Sequence, residues 1–292
     1  RKAAVVSNPE FLREGSAIAD FFGPDRIIIG AASREAADVV AGLYHSIEAP
    51  LLHTGWEEAE MVKYATNAYL ALKISFANEV AALAEALGAD GPAVLRGLGL
   101  DRRVGGHFLA PGPGFGGSCL PKDLSGLLWK ARRLGVRLDL LPSVLRANQR
   151  QRSRVTAKLG DVQGKRIAVW GLAFKAGTDD VREAASLTIL PWLLERGASL
   201  AAHDPKALAS FAAACPCAQD PRLRLVADPW EALEGADALL ILTEWPEYAV
   251  AAPERIRAAM AGDLVVDARN LIDPERAAAA GLQYVGVGRQ RG

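Results

Sequence analysis

The chain has 292 residues, 50% of them hydrophobic, and its 34 basic residues are cancelled by 34 acidic ones. That length has room for two ordinary domains and that mix predicts a globular fold with a core. Zero net charge removes any global attraction for nucleic acid or an anionic membrane, and no run approaches the roughly 18–20 apolar residues of a membrane span.

Residues 1–54 open on "KAAVVSNPEF", which reads like a strand and loop from the middle of a domain and predicts sequence upstream; no signal peptide is visible. "AAVV", "RIIIG" (26–30) and "PLLH" are strand candidates and "SREAADVVAGLYHSI" a helix. This is α/β material with too few strands for a sheet of its own. A long helix follows. Thr54 and Glu57 form a capping-box pattern, no glycine or proline interrupts Trp56 to Leu87, and Gly88 supplies the stop. At about 1.5 Å per residue such a helix is longer than a small domain is wide, as expected of a bridge between domains or the heart of an oligomer interface. Further helices are predicted over 91–99, 121–134 and 142–159.

From Gly164 the pattern changes. "KRIAVWGL", "ASLAAHD", "LRLVAD", "ALLILT", "DLVVDAR" and "LQYVGV" are strand-like runs separated by helical ones. That alternation predicts a doubly wound parallel sheet. Three cysteines make no disulfide framework, and a reducing cytoplasm is the default location. The "CPC" of Cys215 and Cys217 has no second ligand cluster beside it, which argues against a metal.

Four stretches carry candidate chemistry. In "NPEFLREG" Glu10 and Glu14 would share a face if helical; a solvated helix start and a shaped turn are both open readings. On the long helix Lys63 and Asn67 are four apart on a stripe that continues to apolar Leu70 and Ile74. Either they have polar partners or the lysine stem snorkels to solvent. In "GFGGSCLPKD" Pro121 suits the first position of a helix, which puts Cys119 just ahead of a positive helix end and close to Lys122. Both effects favour thiolate. With Asp123 one turn on and Gly114, Gly116 and Gly117 before it, this favours a nucleophile over a buried structural thiol. No P-loop is present there, since G-K-[ST] is missing. Last, "VWGLAFKAGTDDVRE" is a strand and turn with Lys175 and Arg182 before a helix. G-x-G-x-x-G is absent from this stretch, yet a diphosphate at the helix N-terminus would suit it. "HDP" at 203–205 sits where an acid that reads a ribose often does.

Together, "NPEFLREGSAIADFFGPDRIIIG", "VKYATNAYLALKISFANEVA", "RRVGGHFLAPGPGFGGSCLPKD" and "GLAFKAGTDDVRE" resemble, in order and spacing, the UDP-glucose/GDP-mannose dehydrogenase family over essentially the whole chain. The wording of the first and third points to the UDP-glucose branch. The resemblance implies a part of an N-terminal Rossmann domain over 1–54, a central helical dimerisation domain built on the long helix over 55–150, and a Rossmann-like UDP-sugar domain over 151–292. The family's first strand–turn–helix, with its glycine fingerprint, is not among these residues. Two small departures are Ala268, where a glycine is common, and "REAAS", which lacks the proline often found after the arginine.

The implied reaction is an NAD-dependent oxidation of UDP-glucose in two hydride steps, through a thiohemiacetal and a thioester on Cys119. By match to the motifs, Glu10 serves thioester hydrolysis, Asp123 and Lys63 handle a water and the developing oxyanion, and Asn67 positions sugar and lysine. Glu14, Lys122 and Arg182 match cofactor contacts. Phe108, Leu109, Gly116, Lys175 and Arg269 match contacts to the sugar nucleotide. Arg103, in "RRVG", matches an arginine that reaches the sugar nucleotide of the other subunit in a homodimer. Alternatives are a relative acting on a UDP-N-acetylhexosamine or GDP-mannose, and a non-catalytic dimeric fragment that binds nucleotide sugars.

Overall fold

Three consecutive isoleucines make Ile27, Ile28 and Ile29 buried on both faces of their strand. A strand of that kind needs neighbours on each side, and it has them. In the computed structural model, which describes residues 3–289, β1 (Val6–Ser7), β2 (Ile27–Ala31) and β3 (Leu51–Thr54) form a three-stranded sheet in the order β1-β2-β3. The expectation of too few strands for a sheet is therefore wrong. β1 pairs antiparallel with β2, and β3 pairs parallel with it. The outermost ends of the first and last predicted segments, residues 1–2 and 290–292, lie outside the described residues.

The helices of the first half are α1 (Ala17–Phe22), α2 (Arg34–Ala41), α3 (Trp56–Leu87), α4 (Gly91–Gly99), α5 (Cys119–Arg133) and α6 (Leu140–Ala157). α3 has the predicted ends, and beyond Leu87 the Ala89 N–H returns to Ala84 O. The chain forms two units, one of Arg1–Tyr69 with Asp123–Val136, the other of Leu70–Lys122 with Arg137–Gly292. In the first, α2 lays Ala37 and Val40 against Ile27 and Ile29.

In the second unit β4 (Arg166–Trp170), α7 (Ser186–Glu195), β5 (Ser199–His203), α8 (Leu208–Ala214), β6 (Leu223–Leu225), α9 (Pro229–Leu233), β7 (Ala238–Ile241), α10 (Pro246–Ala249), α11 (Pro253–Ala259), β8 (Leu264–Asp267), α12 (Pro274–Ala279) and β9 (Gln283–Gly286) follow. The six strands form one parallel sheet, β6-β5-β4-β7-β8-β9, as the alternation predicts. β7 and β8 are buried at every position, the mark of inner strands covered on both faces. Each fully buried Leu or Ile here contributes about 1.5–3 kcal/mol.

Two local features of this unit were not legible in the sequence. Cys215 and Cys217 are joined in a single bridge across the 3-10 turn Pro216–Gln219. The helix after β4 begins only at Ser186, whose side chain is buried and donates to Leu172 O at 2.6 Å. The α7 N-terminus is thus tied to the turn after Gly171, with a long connection between them rather than a helix that begins at the turn. Among the described residues no group of three or more His, Cys, Asp or Glu is placed to hold a metal, and no helix is long and apolar enough to cross a membrane.

His203, at the end of β5, gives a pH test of this core. It is 3% exposed, its Nδ1 lies 2.8 Å from Tyr248 Oη, and Tyr248 stacks on Trp170. Burial lowers its pKa from the ordinary 6.5, against the opposing charges of Asp204 and Asp228. Below about pH 6.5 the unfolded chain takes up a proton that the folded chain refuses, so stability present above that pH falls as the pH drops towards the folded value. Chemical denaturation of wild type and His203→Asn between pH 7.5 and 5.5 should show a steeper loss in wild type; parallel curves would refute it.

Candidate active site

Each unit gathers its own cluster, and the first is built on α3. Asn8 donates to Ile28 O at 2.8 Å and accepts from Tyr44 Oη at 2.6 Å, pinning the start of "NPEFL" to the sheet. Glu10 then folds back so that its Oε2 accepts from Leu12 N at 2.7 Å. This is a shaped turn. Glu10 and Glu14 lie outside any helix, so the shared helical face does not exist; Pro9 and the side-chain bond of Glu10 bend the chain instead. Glu14 is half-buried in the turn before α1.

Lys63 is not solvated: its side chain is 17% exposed and its Nζ donates to Glu10 Oε1 at 3.1 Å. The Phe11 ring carries Arg26 at 4.0 Å and Lys63 at 5.6 Å, and an aromatic face attracts both cations. One turn along α3, Asn67 Nδ2 donates to Asp123 Oδ2 at 2.5 Å, and both residues are buried. Buried polar groups with such a bond avoid the cost of an unmade one.

The second unit holds the cysteine. α5 begins at Cys119 rather than at Pro121, so the thiol residue opens the helix and the proline sits within its first turn, where an amide N–H would lack an intrahelical partner anyway. Cys119 is half-buried, with Ser118 Oγ 3.5 Å from its Sγ. Asp123 follows one turn later on the same helix, and Lys122 is exposed beside it.

The loop before Cys119 is fixed through its backbone. Asn148 accepts from Phe115 N at 2.8 Å and donates to Phe115 O at 3.0 Å. Asn78 accepts from Gly112 N and Gln151 donates to Gly112 O, each at 2.8 Å. A side chain at Gly116 would collide with Glu183 O, and Gly117, at φ +79°, packs on the Phe174 ring while its N–H reaches Arg182 O at 2.8 Å. Arg152 braces the same region by donating to Glu183 O at 2.7 Å and Thr188 Oγ1 at 2.6 Å; burial holds its guanidinium below the ordinary pKa. Gly112 to Gly117 has the spacing G-x-G-x-x-G, but no strand leads into it and the N–H groups of Gly112, Phe115 and Gly117 are spent internally. It is not a dinucleotide turn.

The remaining predicted residues fall around that loop in the same unit or on its surface. Arg269 donates to Leu242 O at 2.8 Å and Phe174 O at 2.9 Å and pairs with Glu244 at 3.0 Å, with Nη1 beside Gly112. Lys175 is half-buried, 5.6 Å from the Phe174 ring. Leu109 is buried, whereas Phe108 is partly exposed at φ +63°, a conformation that a side chain adopts at a cost. Arg182 is exposed and paired with Asp180 at 2.8 Å. Arg103 is exposed and clasps Asp101 at 2.6 Å; that bond holds the Asp101 carboxyl below its usual pKa and raises the guanidinium in turn. Behind it Lys73 donates to Val104 O at 3.0 Å and Gly105 O at 3.1 Å.

Asp204 of "HDP" is no ribose reader. It is 1% exposed and takes five N–H donors from its own unit. The sequence reasoning also missed Phe11, Arg26, Asn78, Asn148, Gln151 and Arg152. The signal for part of this group was there: amides three apart on α6, at 148 and 151, on the face that also carries Val144, Ala147 and Val155.

Residues 57–150 match the central domain of the UDP-glucose/GDP-mannose dehydrogenase family, residues 168–274 its UDP binding domain and residues 1–48 its NAD binding domain. A UDP-glucose 6-dehydrogenase of Pseudomonas aeruginosa is 46% identical over 99% of the chain and 66% of that protein. A UDP-glucose dehydrogenase of Pyrobaculum islandicum superposes with a TM-score of 0.88 at 41% identity, over 98% of this chain and 64% of the other. A UDP-D-ManNAc dehydrogenase of Pyrococcus horikoshii superposes at 0.83 with 28% identity, over 98% and 65%. The chain thus spans about two thirds of the length of these relatives.

Proposed function

The chain belongs to the UDP-glucose/GDP-mannose dehydrogenase family, and from that premise we propose that it is the greater part of an NAD-dependent UDP-glucose 6-dehydrogenase of the cytoplasm. The observation that carries the reading is the cysteine loop, whose backbone is locked so that a half-buried thiol opens α5 with Asp123 one turn behind. Nothing in a purely structural cysteine calls for that arrangement.

In this reading two NAD molecules, bound in turn, would each accept one hydride from C6 of the sugar. After the first transfer the Cys119 thiolate adds to the aldehyde carbon, and Lys63 stabilises the oxygen that gains charge. Addition matters because a free aldehyde hydrates in water and escapes a committed path. Loss of the second hydride leaves a thioester, and water then displaces the thiolate to give the carboxylate. Glu10 and Asp123 are the carboxylates that take the proton of that water. Their partners fit these roles: Lys63 is already bonded to Glu10, and Asn67 holds Asp123. Glu14, Lys122 and Arg182 contact the cofactor; Phe108, Leu109, Gly116, Lys175 and Arg269 contact the sugar nucleotide.

The three segments 1–54, 55–150 and 151–292 divide as NAD-binding, dimerising and UDP-sugar-binding parts. Support for a homodimer comes from α3, where Tyr69, Phe76 and Leu83 recur every seven residues and Leu87 follows four later, all exposed. An apolar stripe at that spacing is what a helix presents to a partner helix.

Ligand-dependent melting of the purified chain tests the substrate. UDP-glucose should raise the melting temperature most, since a ligand at 100 times its Kd adds about 2.7 kcal/mol to the folded state. A larger shift with a UDP-N-acetylhexosamine or GDP-mannose would move the protein to another branch, and no shift with any of them would sink the reading.

A further inference from the structure

In an open parallel sheet, ligands sit outside the carboxyl ends of the strands where the strand order reverses, and anions bind the first N–H groups beyond the strand. In this sheet the reversal falls between β4 and β7, which are neighbours although the chain leaves them for opposite sides. We propose that Asp204 is an internal substitute for a ligand phosphate: it plugs the anion-binding turn at this reversal and denies that turn to a ligand diphosphate.

The donors come from three sides. Leu172 N and Ala173 N, the groups just beyond β4, reach Asp204 Oδ2 at 2.7 and 3.0 Å, and Trp245 Nε1, beyond β7, reaches the same oxygen at 3.0 Å. Oδ1 takes Lys206 N at 2.9 Å and Ala207 N at 2.8 Å. One oxygen gripped by several converging N–H groups is the way such turns hold a phosphate oxygen. A carboxylate brings the same sign of charge on a smaller group. The carbonyls are spent as well, Leu172 O on Ser186 Oγ and Ala173 O on Thr243 Oγ1, both at 2.6 Å. Space is also closed. Gly171, at φ +98°, packs so tightly on Thr243 that even a Cβ would collide with it, and Trp245 is 5% exposed. A dinucleotide fold would place the open glycine turn and its pyrophosphate there.

The plug does not rest on the proposed function, and its test on the purified chain uses no sugar nucleotide. Asp204→Ala should melt well below wild type, and formate or inorganic phosphate should restore it, while chloride at equal ionic strength should not; wild type should respond alike to all three salts. An Ala variant that responds alike to all three, or that stays unfolded in formate and phosphate, overturns the plug.

Discussion

In the intact enzyme of the proposed function, replacing Cys119 with serine is expected to end production of uronate from UDP-glucose, lowering turnover on the order of a thousandfold or more. Serine is close in volume, and Cys119 is only half-buried, so the fold should survive the change. The chemistry should not. A serine hydroxyl is a far weaker nucleophile towards the aldehyde than a thiolate, and an ester formed on it would lose an alkoxide, a much worse leaving group. Glu10→Gln is expected to act later. Its amide still accepts a hydrogen bond but no longer takes a proton from water, so oxidation continues while hydrolysis slows. Intact-mass analysis of Glu10→Gln with UDP-glucose and NAD should then find a covalent adduct on the Cys119 peptide. Near wild-type turnover by Cys119→Ser would remove the nucleophile assignment.

Arg103→Ala should weaken UDP-glucose binding by roughly 1.5–3 kcal/mol, the range for a hydrogen bond to a charged group. The side chain is 89% exposed and bonded only two residues away, to Asp101, and its loop is fastened from behind by Lys73. Such an arginine is presented outward rather than spent on its own core, and a planar guanidinium suits phosphate or sugar hydroxyls. If it serves the other subunit, a mixed dimer of Arg103→Ala and Cys119→Ala chains places both lesions in one site and leaves the second intact. About half the activity of a wild-type dimer should return. If Arg103 serves its own chain, each site carries one lesion and no activity beyond the parent variants appears, which would end the shared-site reading.

The sequence by itself determined what depends on neighbours along the chain. The ends of α3 follow from helix formers without a breaker between Trp56 and Leu87 and a glycine after them. Each of the six strands of the parallel sheet falls inside its predicted run, and the inner ones are apolar because they are covered on both faces. The family, too, was legible, since its motifs are contiguous words.

Tertiary structure decided what depends on residues far apart. Three short runs became a sheet only when β3 returned beside β2 across some twenty residues of chain. Asp123 found Asn67 across 56 positions, Lys63 found Glu10 across 53, and the loop of Cys119 is held by amides more than thirty positions away. "HDP" shows the limit most plainly. Its place at the end of β5 was readable, but whether its carboxylate faces a ribose or the turn after β4 depends on where Leu172, Ala173 and Trp245 point their N–H groups. Periodicity records which side of an element is apolar. It carries no record of which donor meets which acceptor, because that pairing is made only when separate elements pack and every buried polar group must find a partner.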